Sequence, residues 1–323
     1  MNSISAGERI TSAEQIILAA RELARGGRKK MVAVAGASDV AVLGALASAN
    51  ADGILDATLF GDRDKIKQAA DGGQVDISKF NIVHSDNPGR AIHDAVKMAD
   101  EGRADVIMKG FVSTSALLRG VLSKEFGLRV KETISHSAVL DIPGYHKLLQ
   151  MTDGGMVVRP NREQKIQIME NAIMIARALH LKPVKVAFSG AVDGRHDDMP
   201  QTLETAELIE TISRLNLENV KVEGPMTFDT ATSAEIAKTK KVFNTVAGDA
   251  DIYLVNTIEE CNIIAKALIN FADTVFAGVI VGAGVPISLV SRTDTMTNKK
   301  ASVSVACLIA EYYQAAGKAG GGR

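Results

Sequence analysis

The sequence predicts a two-domain α/β protein, and three observations carry that prediction. The chain has 323 residues, which is long for a single hydrophobic core. Short apolar runs rich in β-branched residues alternate along it with segments of helical periodicity. The runs are continuous rather than alternating with polar residues, as expected for parallel strands that are covered on both faces.

The predicted strands and helices follow one another in a regular order. The first four strands, each followed by a helix, are expected at 31–36, 56–62, 80–85 and 104–110. In 134–155, two apolar runs flank Pro143-Gly144 with no helical pattern between them, which favours two neighbouring strands. Later strands are expected at 184–190, 251–255 and 274–282, and two long helices at about 161–180 and about 295–316.

The change of pattern near the Pro/Gly-containing segment DIPGY marks the predicted domain boundary. We expect a first α/β domain at 1–138 and a second at 139–290. Residues 291–323 are expected to return to the first domain.

Composition and charge exclude several classes of function. The formal net charge is −1 and there is no tryptophan, so neither a general attraction to nucleic acid nor a base-stacking surface is expected. The N-terminal segment is polar and no apolar stretch is long enough to span a bilayer, so we expect neither a signal peptide nor a membrane anchor. The two cysteines lie in helical apolar patterns, which favours a reducing compartment, the cytoplasm.

The stretch ADVIMKGFVSTSALLRG combines a strand end with a helix start. Lys109 and Gly110 end the strand, and Ser113 and Thr114 precede or begin the helix that carries Arg119. Helix N-termini with glycine and hydroxyl groups bind phosphate through free N–H groups and the helix dipole, and the two cations could add charge. The alternative is an ordinary capped helix beside a lysine that extends to solvent.

A second candidate is SRTDTMTNKK, which follows an apolar run. We expect Ser291 and Arg292 to end a strand, and ligands of open α/β sheets gather beyond the carboxyl ends of strands. The Arg292 guanidinium suits a phosphate, and Asp294 could accept a proton or orient a group that does. The alternative is a simple helix start with a threonine as its cap.

Other motifs are weaker or missing. His196, Asp197 and Asp198 could bind a metal, but adjacent residues seldom point at one ion, and an N-cap before Pro200 is the preferred interpretation. Neither GxGxxG after a strand nor GxxxxGK[ST] is present, so the usual dinucleotide and P-loop signals are lacking. The residues alone therefore predict an α/β protein that binds a phosphorylated small molecule.

Several blocks taken together resemble the phosphate acyltransferases, the family of phosphate acetyltransferase and phosphate butyryltransferase. They are MKGFVSTSALLRGVL, VVRPNREQKIQIMENAI, VEGPMTFDTATS, VAGDADIYLVNTIEECNIIAKAL and GVIVGAGVPISLVSRTD. The resemblance runs from about Met31 to the last helix and is closer to the butyryl branch. It implies an isocitrate/isopropylmalate dehydrogenase-like fold with an interdomain active-site cleft, and a homodimer.

The implied reaction is acyl-CoA plus phosphate giving acyl phosphate plus coenzyme A, with no metal or redox cofactor. By resemblance, Arg292 stabilises the leaving phosphate and Ser291 donates a hydrogen bond at the reaction centre. Thr114 falls in the loop expected near phosphate, together with Lys109, Gly110 and Ser113 of the same stretch. Arg119 matches an arginine implicated in CoA binding.

The chain departs from the acetyltransferases at one position. An aspartate seven residues after the serine is their proposed base, and here that position is Asn298, which we place among the substrate-binding residues. Asp294, one helical turn earlier, is the expected base or its orienter. Phosphate or solvent could instead take the proton.

The alternatives differ in substrate or in class. The acyl group is expected to be butyryl or another short or branched group, with acetyl as the alternative. A nicotinamide-dependent dehydrogenase of related fold would need metal-binding acids and a nucleotide site, which the sequence does not display. A non-catalytic protein that binds CoA or acyl phosphate is supported only by Asn298.

Overall fold

The computed structural model describes residues 7–27 and 29–319 and confirms the α/β class. The proximity of Cα atoms divides the described chain into two compact units. Unit 1 contains 13–134 and 275–319, and unit 2 contains 7–12 and 135–274. The predicted domain boundaries at 138/139 and 290/291, and the interdomain cleft, stay predictions.

Unit 1 contains six strands and six helices among its described residues. Its strands are β1 (Lys30–Ala35), β2 (Leu55–Gly61), β3 (Asn81–His84), β4 (Val106–Lys109), β10 (Val275–Val281) and β11 (Ile287–Ser288). Its helices are α1 (Ala13–Arg25), α2 (Val40–Ala51), α3 (Arg63–Gly72), α4 (Pro88–Asp100), α5 (Thr114–Val121) and α11 (Met296–Ala319). The strand order is β3-β2-β1-β4-β11-β10.

The four N-terminal strands of unit 1 are parallel, as their continuous apolar runs predict. β1 lies between β2 and β4, and its Val32–Ala35 stretch is fully buried. Helix α2 begins after Asp39, whose carboxylate accepts a hydrogen bond from the Val42 N–H group. The order of strands therefore brings the carboxyl ends of β1 and β4 side by side.

Unit 2 contains the remaining strands and helices. Its strands are β5 (Ser135–Asp141), β6 (Leu149–Thr152), β7 (Val184–Ser189), β8 (Val220–Met226) and β9 (Ile252–Leu254), in the order β5-β6-β9-β7-β8. Its helices are α6 (Arg162–Ala178), α7 (Pro200–Ser213), α8 (Phe228–Thr232), α9 (Ala234–Thr239) and α10 (Ile258–Phe271). β5 and β6 are antiparallel neighbours, which confirms the expectation for 134–155; DIPGY belongs to the turn that joins them.

Two local predictions are wrong. The strand that precedes Arg292 ends at Ser288, so Ser291 and Arg292 lie in the segment between β11 and α11. The chain turns back after β10, and the short strand β11 pairs with β10 antiparallel. A continuous apolar run does not reveal this reversal of direction. Helix α7 has Met199 as its N-cap with no side-chain cap hydrogen bond, so neither Asp197 nor Asp198 caps it.

The described residues contain neither a membrane-spanning helix nor a metal-binding cluster. No helix in 7–27 or 29–319 combines the length and apolar character that a bilayer crossing requires. Within the same residues, no group of three or more His, Cys, Asp or Glu side chains is arranged to hold a metal ion.

Candidate active site

Parallel pairing brings the two predicted polar segments together in unit 1. β4 pairs with β1 on one side and with β11 on the other, both in parallel. Ser288 of β11 lies opposite Met108, so the segments that follow both strands leave the same edge of the sheet. The chain therefore places Lys109 beside the segment that carries Ser291 and Arg292, although about 180 residues separate them.

Gly110 is required by a close approach of two backbones at this edge. A Cβ atom at Gly110 would lie 2.1 Å from the carbonyl oxygen of Gly36, at the end of β1. The Gly110 N–H group donates to Ala35 at 3.0 Å, and Phe111 N–H donates to the Gly36 carbonyl at 2.5 Å. Only glycine permits this approach, which fixes the direction in which the chain leaves β4.

Arg292 is held by the aromatic ring of Phe111. The guanidinium carbon lies 4.6 Å from the ring centroid, within the range of a cation–π interaction. Both residues are exposed, and 54% of Phe111 is accessible to solvent. The ring therefore orients the arginine and leaves its N–H groups accessible to an anionic ligand.

The four residues from Ser291 to Asp294 form a closed turn. The Asp294 N–H group donates to the Ser291 carbonyl at 3.3 Å, and the Asp294 carboxylate accepts from the Ser291 N–H group at 2.5 Å. The Ser291 hydroxyl lies 3.1 Å from that of Thr293 and is exposed. Asp294 thus holds the turn through its carboxylate, and its expected role as the base or the orienter of the base stays a prediction.

Two buried lysines lie under this turn. Lys299 is completely inaccessible, and its ammonium donates to the carbonyl oxygens of Ser291 and Asp294, each at 2.9 Å. The Lys109 ammonium donates to the carbonyl oxygens of Val290 and of Gly110, each at 3.3 Å. Burial lowers the pKa of the Lys109 ammonium, and the positive charges of Arg292 and Lys299 lower it further.

The start of helix α5 has a side-chain cap, as the alternative interpretation of this stretch expected, but Lys109 is buried and does not extend to solvent. The Ser113 hydroxyl accepts a hydrogen bond from the Ala116 N–H group at 3.2 Å. Thr114 is the first residue of α5 and is half-buried. Arg119 lies in the last turn of α5 and is exposed. A substrate role for these three residues stays a prediction.

Asn298 serves the backbone of unit 1. It is buried, and its Oδ1 atom accepts a hydrogen bond from the Phe276 N–H group at 3.2 Å. Its own N–H group donates to the Thr295 hydroxyl at 3.1 Å. The side-chain carbonyl therefore braces β10 against α11, and substrate binding by Asn298 stays a prediction.

Lys299 was missed by the sequence reasoning. It directly follows Asn298 and begins the apolar stretch of α11 that is buried from Ala301 to Ala310. A lysine at the edge of such a stretch usually extends to solvent, and only the neighbouring turn shows why this one does not. Lys300, the next residue, is ion-paired with Asp52 at 2.6 Å.

Together these residues make a cluster of positive charge at the ends of β4 and β11, in which Arg292 is exposed and the two lysines are buried. Lys109, Arg292 and Lys299 supply the cations, and the Ser291 hydroxyl supplies an exposed donor. A planar guanidinium beside hydroxyl and backbone N–H donors suits a phosphate group. The arrangement can bind an anion and stabilise negative charge that grows on it.

Known proteins of similar fold and sequence define the class. The chain resembles the crystal structure of a branched-chain phosphotransacylase from Enterococcus faecalis V583, with a TM-score of 0.77, 29% identity, and coverage of 87% of this chain and 99% of that one. It is 39% identical to the phosphate butyryltransferase of Clostridium acetobutylicum over 87% of this chain and 93% of the relative. It is 33% identical to the phosphate acetyltransferase of Thermotoga maritima over 90% of this chain and 98% of the relative.

These relatives identify an acyltransferase, as the resemblance implied. A family model described as "Phosphate acetyl/butaryl transferase" matches residues 88–307. The chain belongs to the phosphate acetyl/butyryl transferase family. The match includes every predicted site residue, from Lys109 to Asn298.

Proposed function

We propose that this protein transfers an acyl group between coenzyme A and inorganic phosphate: acyl-CoA plus phosphate gives acyl phosphate plus CoA. The observation that carries the proposal is the cluster of positive charge at the ends of β4 and β11, in which Arg292 is exposed and the ammonium groups of Lys109 and Lys299 are buried. Family membership supplies the reaction class. The three cations come from side chains, so no metal or redox cofactor is invoked.

In the direction of thioester synthesis, the CoA sulfur attacks the carbonyl carbon of the acyl phosphate. The C–S bond forms, the bond from that carbon to the phosphate oxygen breaks, and the electron pair leaves with phosphate. Arg292 stabilises the charge that grows on the leaving oxygen, and the Ser291 hydroxyl donates a hydrogen bond to it. The thiol proton passes to Asp294, or to the phosphate if Asp294 only orients the turn.

The proposed acyl group is butyryl or another short or branched group. The support is the 39% identity to a phosphate butyryltransferase and the likeness to a branched-chain phosphotransacylase. Acetyl is the second candidate, since a phosphate acetyltransferase is 33% identical. One methylene contributes only about 1–3 kcal/mol of discrimination, so a graded preference is expected.

A homodimer is also proposed, and the outward face of helix α10 supports it. Ile263 is 66% exposed and Phe271 is 85% exposed. Glu259 and Lys266 are two helical turns apart and flank Ile263. In an antiparallel pair of α10 helices around a two-fold axis, Glu259 of one copy would face Lys266 of the other, so this surface is complementary to itself.

The cytoplasm is the proposed compartment. Cys261 and Cys307 are both free and buried thiols, as a reducing environment permits.

Purified protein mixed with CoA and a panel of acyl phosphates, from acetyl to branched five-carbon groups, tests the function. Thioester formation without added metal is the expected result, and the ranking of kcat/KM identifies the acyl group. A folded protein that binds CoA but turns over none of the panel would contradict the proposal. It would favour a non-catalytic binding protein.

A further inference from the structure

Lys299 has an unusual environment for a charged side chain. It is fully buried, and both of its hydrogen bonds go to carbonyl oxygens of the turn at Ser291–Asp294. Its neighbour Lys300 instead reaches Asp52 and the Ser48 hydroxyl at 2.6 and 2.8 Å. Burial of an ammonium group is unfavourable because the charge loses its hydration, and carbonyl dipoles offset only part of that loss. An apolar side chain would fill the same space at a lower cost.

The position of Lys299 on its helix explains its direction. It lies in the first turn of α11, and its backbone N–H group donates to Thr295 at 3.0 Å. Side chains of a helix lean toward its N-terminus, so Lys299 extends back under the turn that precedes α11. The side chain is thus directed at the turn by the helix and not by an acidic partner.

The two hydrogen bonds of Lys299 also determine the direction in which two backbone N–H groups of the turn point. A trans peptide directs its C=O and N–H groups to opposite sides. When the Ser291 carbonyl points to the Lys299 ammonium, the N–H group of Arg292 points away from it. In the same way, the Asp294 carbonyl directs the Thr295 N–H group away. Arg292 and Thr295 are both exposed residues, so we expect these N–H groups on the outer side of the turn.

We propose that Lys299 is a positioning residue for the acyl transfer: its buried ammonium aligns the turn so that the Arg292 N–H group, the Arg292 guanidinium and the Ser291 hydroxyl meet the phosphate of the substrate on one side. Lys109 supports the same segment one residue earlier, at Val290. This inference rests on the proposed acyl transfer. It adds a residue that touches no substrate atom.

Lys299→Met tests the proposal, because methionine keeps the unbranched shape and removes the charge and the donors. Lys300→Met, one residue later, is the matched control. We expect kcat of Lys299→Met to fall at least about 100-fold, comparable to the loss of one transition-state donor, with the KM for CoA within threefold of wild type. The urea midpoint is expected at or above that of wild type, since an apolar replacement removes a buried charge. Lys300→Met should keep kcat within twofold.

A conservative variant separates positioning from packing. Lys299→Arg keeps the charge and the donors, so its kcat should exceed that of Lys299→Met at least tenfold. Three results would overturn the proposal. The first is a kcat of Lys299→Met within threefold of wild type, and the second is a kcat of Lys299→Arg no higher than that of Lys299→Met. The third is a circular dichroism spectrum showing that Lys299→Met is unfolded, because a structural role would then be enough to explain the loss of activity.

A measurement that does not depend on enzyme turnover tests the role of Lys299 separately from the proposed function. Hydrogen–deuterium exchange of residues 289–295 should be faster in Lys299→Met than in wild type and unchanged in Lys300→Met. Equal exchange in all three proteins would overturn the positioning role even in an inactive enzyme. An inactive wild type in which Lys299→Met accelerates the exchange would overturn the proposed function and leave the role of Lys299 in the turn supported.

Discussion

At the scale of single residues, Arg292 combines a positive charge, a planar guanidinium with forked N–H donors, and a contact with the ring of Phe111. Arg292→Lys keeps the charge but loses the fork and weakens the contact with Phe111. We expect kcat/KM for acyl phosphate to fall about 100-fold. Arg195→Lys, at an exposed arginine paired with Glu210, should change it less than twofold. Equal kinetics of the two variants would show that only charge is needed at position 292.

Asp294 has two possible roles, and a pair of variants separates them. Asn keeps an oxygen that can accept from the Ser291 N–H group, whereas Ala keeps none. If Asp294 is the base, both Asp294→Asn and Asp294→Ala lose about 100-fold or more in kcat. If it orients the turn, only Asp294→Ala does so. Full activity in both variants would exclude Asp294 from the mechanism and leave phosphate or solvent as the proton acceptor.

His136 and Asp153 are buried neighbours in unit 2 with opposite titration behaviour. The backbone N–H group of His136, not its imidazole ring, donates to the Asp153 carboxylate at 3.3 Å. Burial lowers the pKa of His136 to about 4, so acid favours the unfolded chain, which binds the proton first. Burial raises the pKa of Asp153 to about 6, so the folded chain binds that proton first and acid stabilises it. The two effects oppose each other between about pH 4 and pH 6.

Asp153→Asn should therefore expose the effect of the histidine. Between pH 6.5 and 4.5, we expect the variant to lose about 2 kcal/mol more unfolding free energy than wild type loses. His136→Gln should show the reverse difference, and the exposed His196→Gln should match wild type. Urea unfolding at the two pH values gives these differences. Parallel pH dependence in all four proteins would show that neither buried group titrates differently on folding.

The residue scale also shows how far the sequence determines the candidate site. Ser291, Arg292 and Asp294 are recognisable because polar residues after an apolar run are unexpected there. Lys299 is not recognisable, because its burial depends on a turn that closes beneath it. In the sequence, Asn298 stands where the acetyltransferases have their proposed catalytic aspartate. In the structure, its Oδ1 atom accepts a hydrogen bond from the backbone of β10.

At the scale of elements, the junction of β1 and β4 depends on one glycine. Gly110→Ala would place a Cβ atom 2.1 Å from the Gly36 carbonyl oxygen, which backbone atoms cannot accommodate without moving. We expect a loss of about 3 kcal/mol in unfolding free energy, measured with urea. Gly72→Ala, with no atom within 4 Å of the added carbon, should lose almost nothing. Similar midpoints for both variants would mean that the junction adapts.

Elements differ in how well periodicity predicts them. Strands β1, β2 and β4 are buried over almost their whole length and give continuous apolar runs, so their positions are predicted closely. β3 lies at the edge of the sheet and is not buried, yet its apolar core Ile82-Val83 still marks its position. The two-residue strand β11 was not predicted as a separate element, because the apolar run of β10 continues through the turn. An apolar pattern in the sequence indicates which residues are buried. A reversal of chain direction depends on the geometry of the turn, which that pattern does not contain.

At the scale of the whole molecule, the proposed dimer gives a direct test of the α10 surface. Ile263→Asp would place a charge at the centre of the self-complementary face and should convert a dimer to a monomer in light scattering. Leu215→Asp, at another residue that is 47% exposed, should leave the dimer intact. A dimeric Ile263→Asp would show that another surface associates, and a monomeric wild type would contradict the proposed assembly.

The discontinuity of unit 1 has a consequence for synthesis. Its two segments are separated by residues 135–274, so β4 has no neighbour at one edge until β11 has been translated. At about 5–20 residues per second, a ribosome needs roughly 7–28 seconds to cover that interval. A nascent chain therefore carries an open strand edge, a known aggregation hazard, beside an incomplete anion site. Chaperone demand should thus peak before the last 40 or so residues emerge, and catalytic competence can appear only after them.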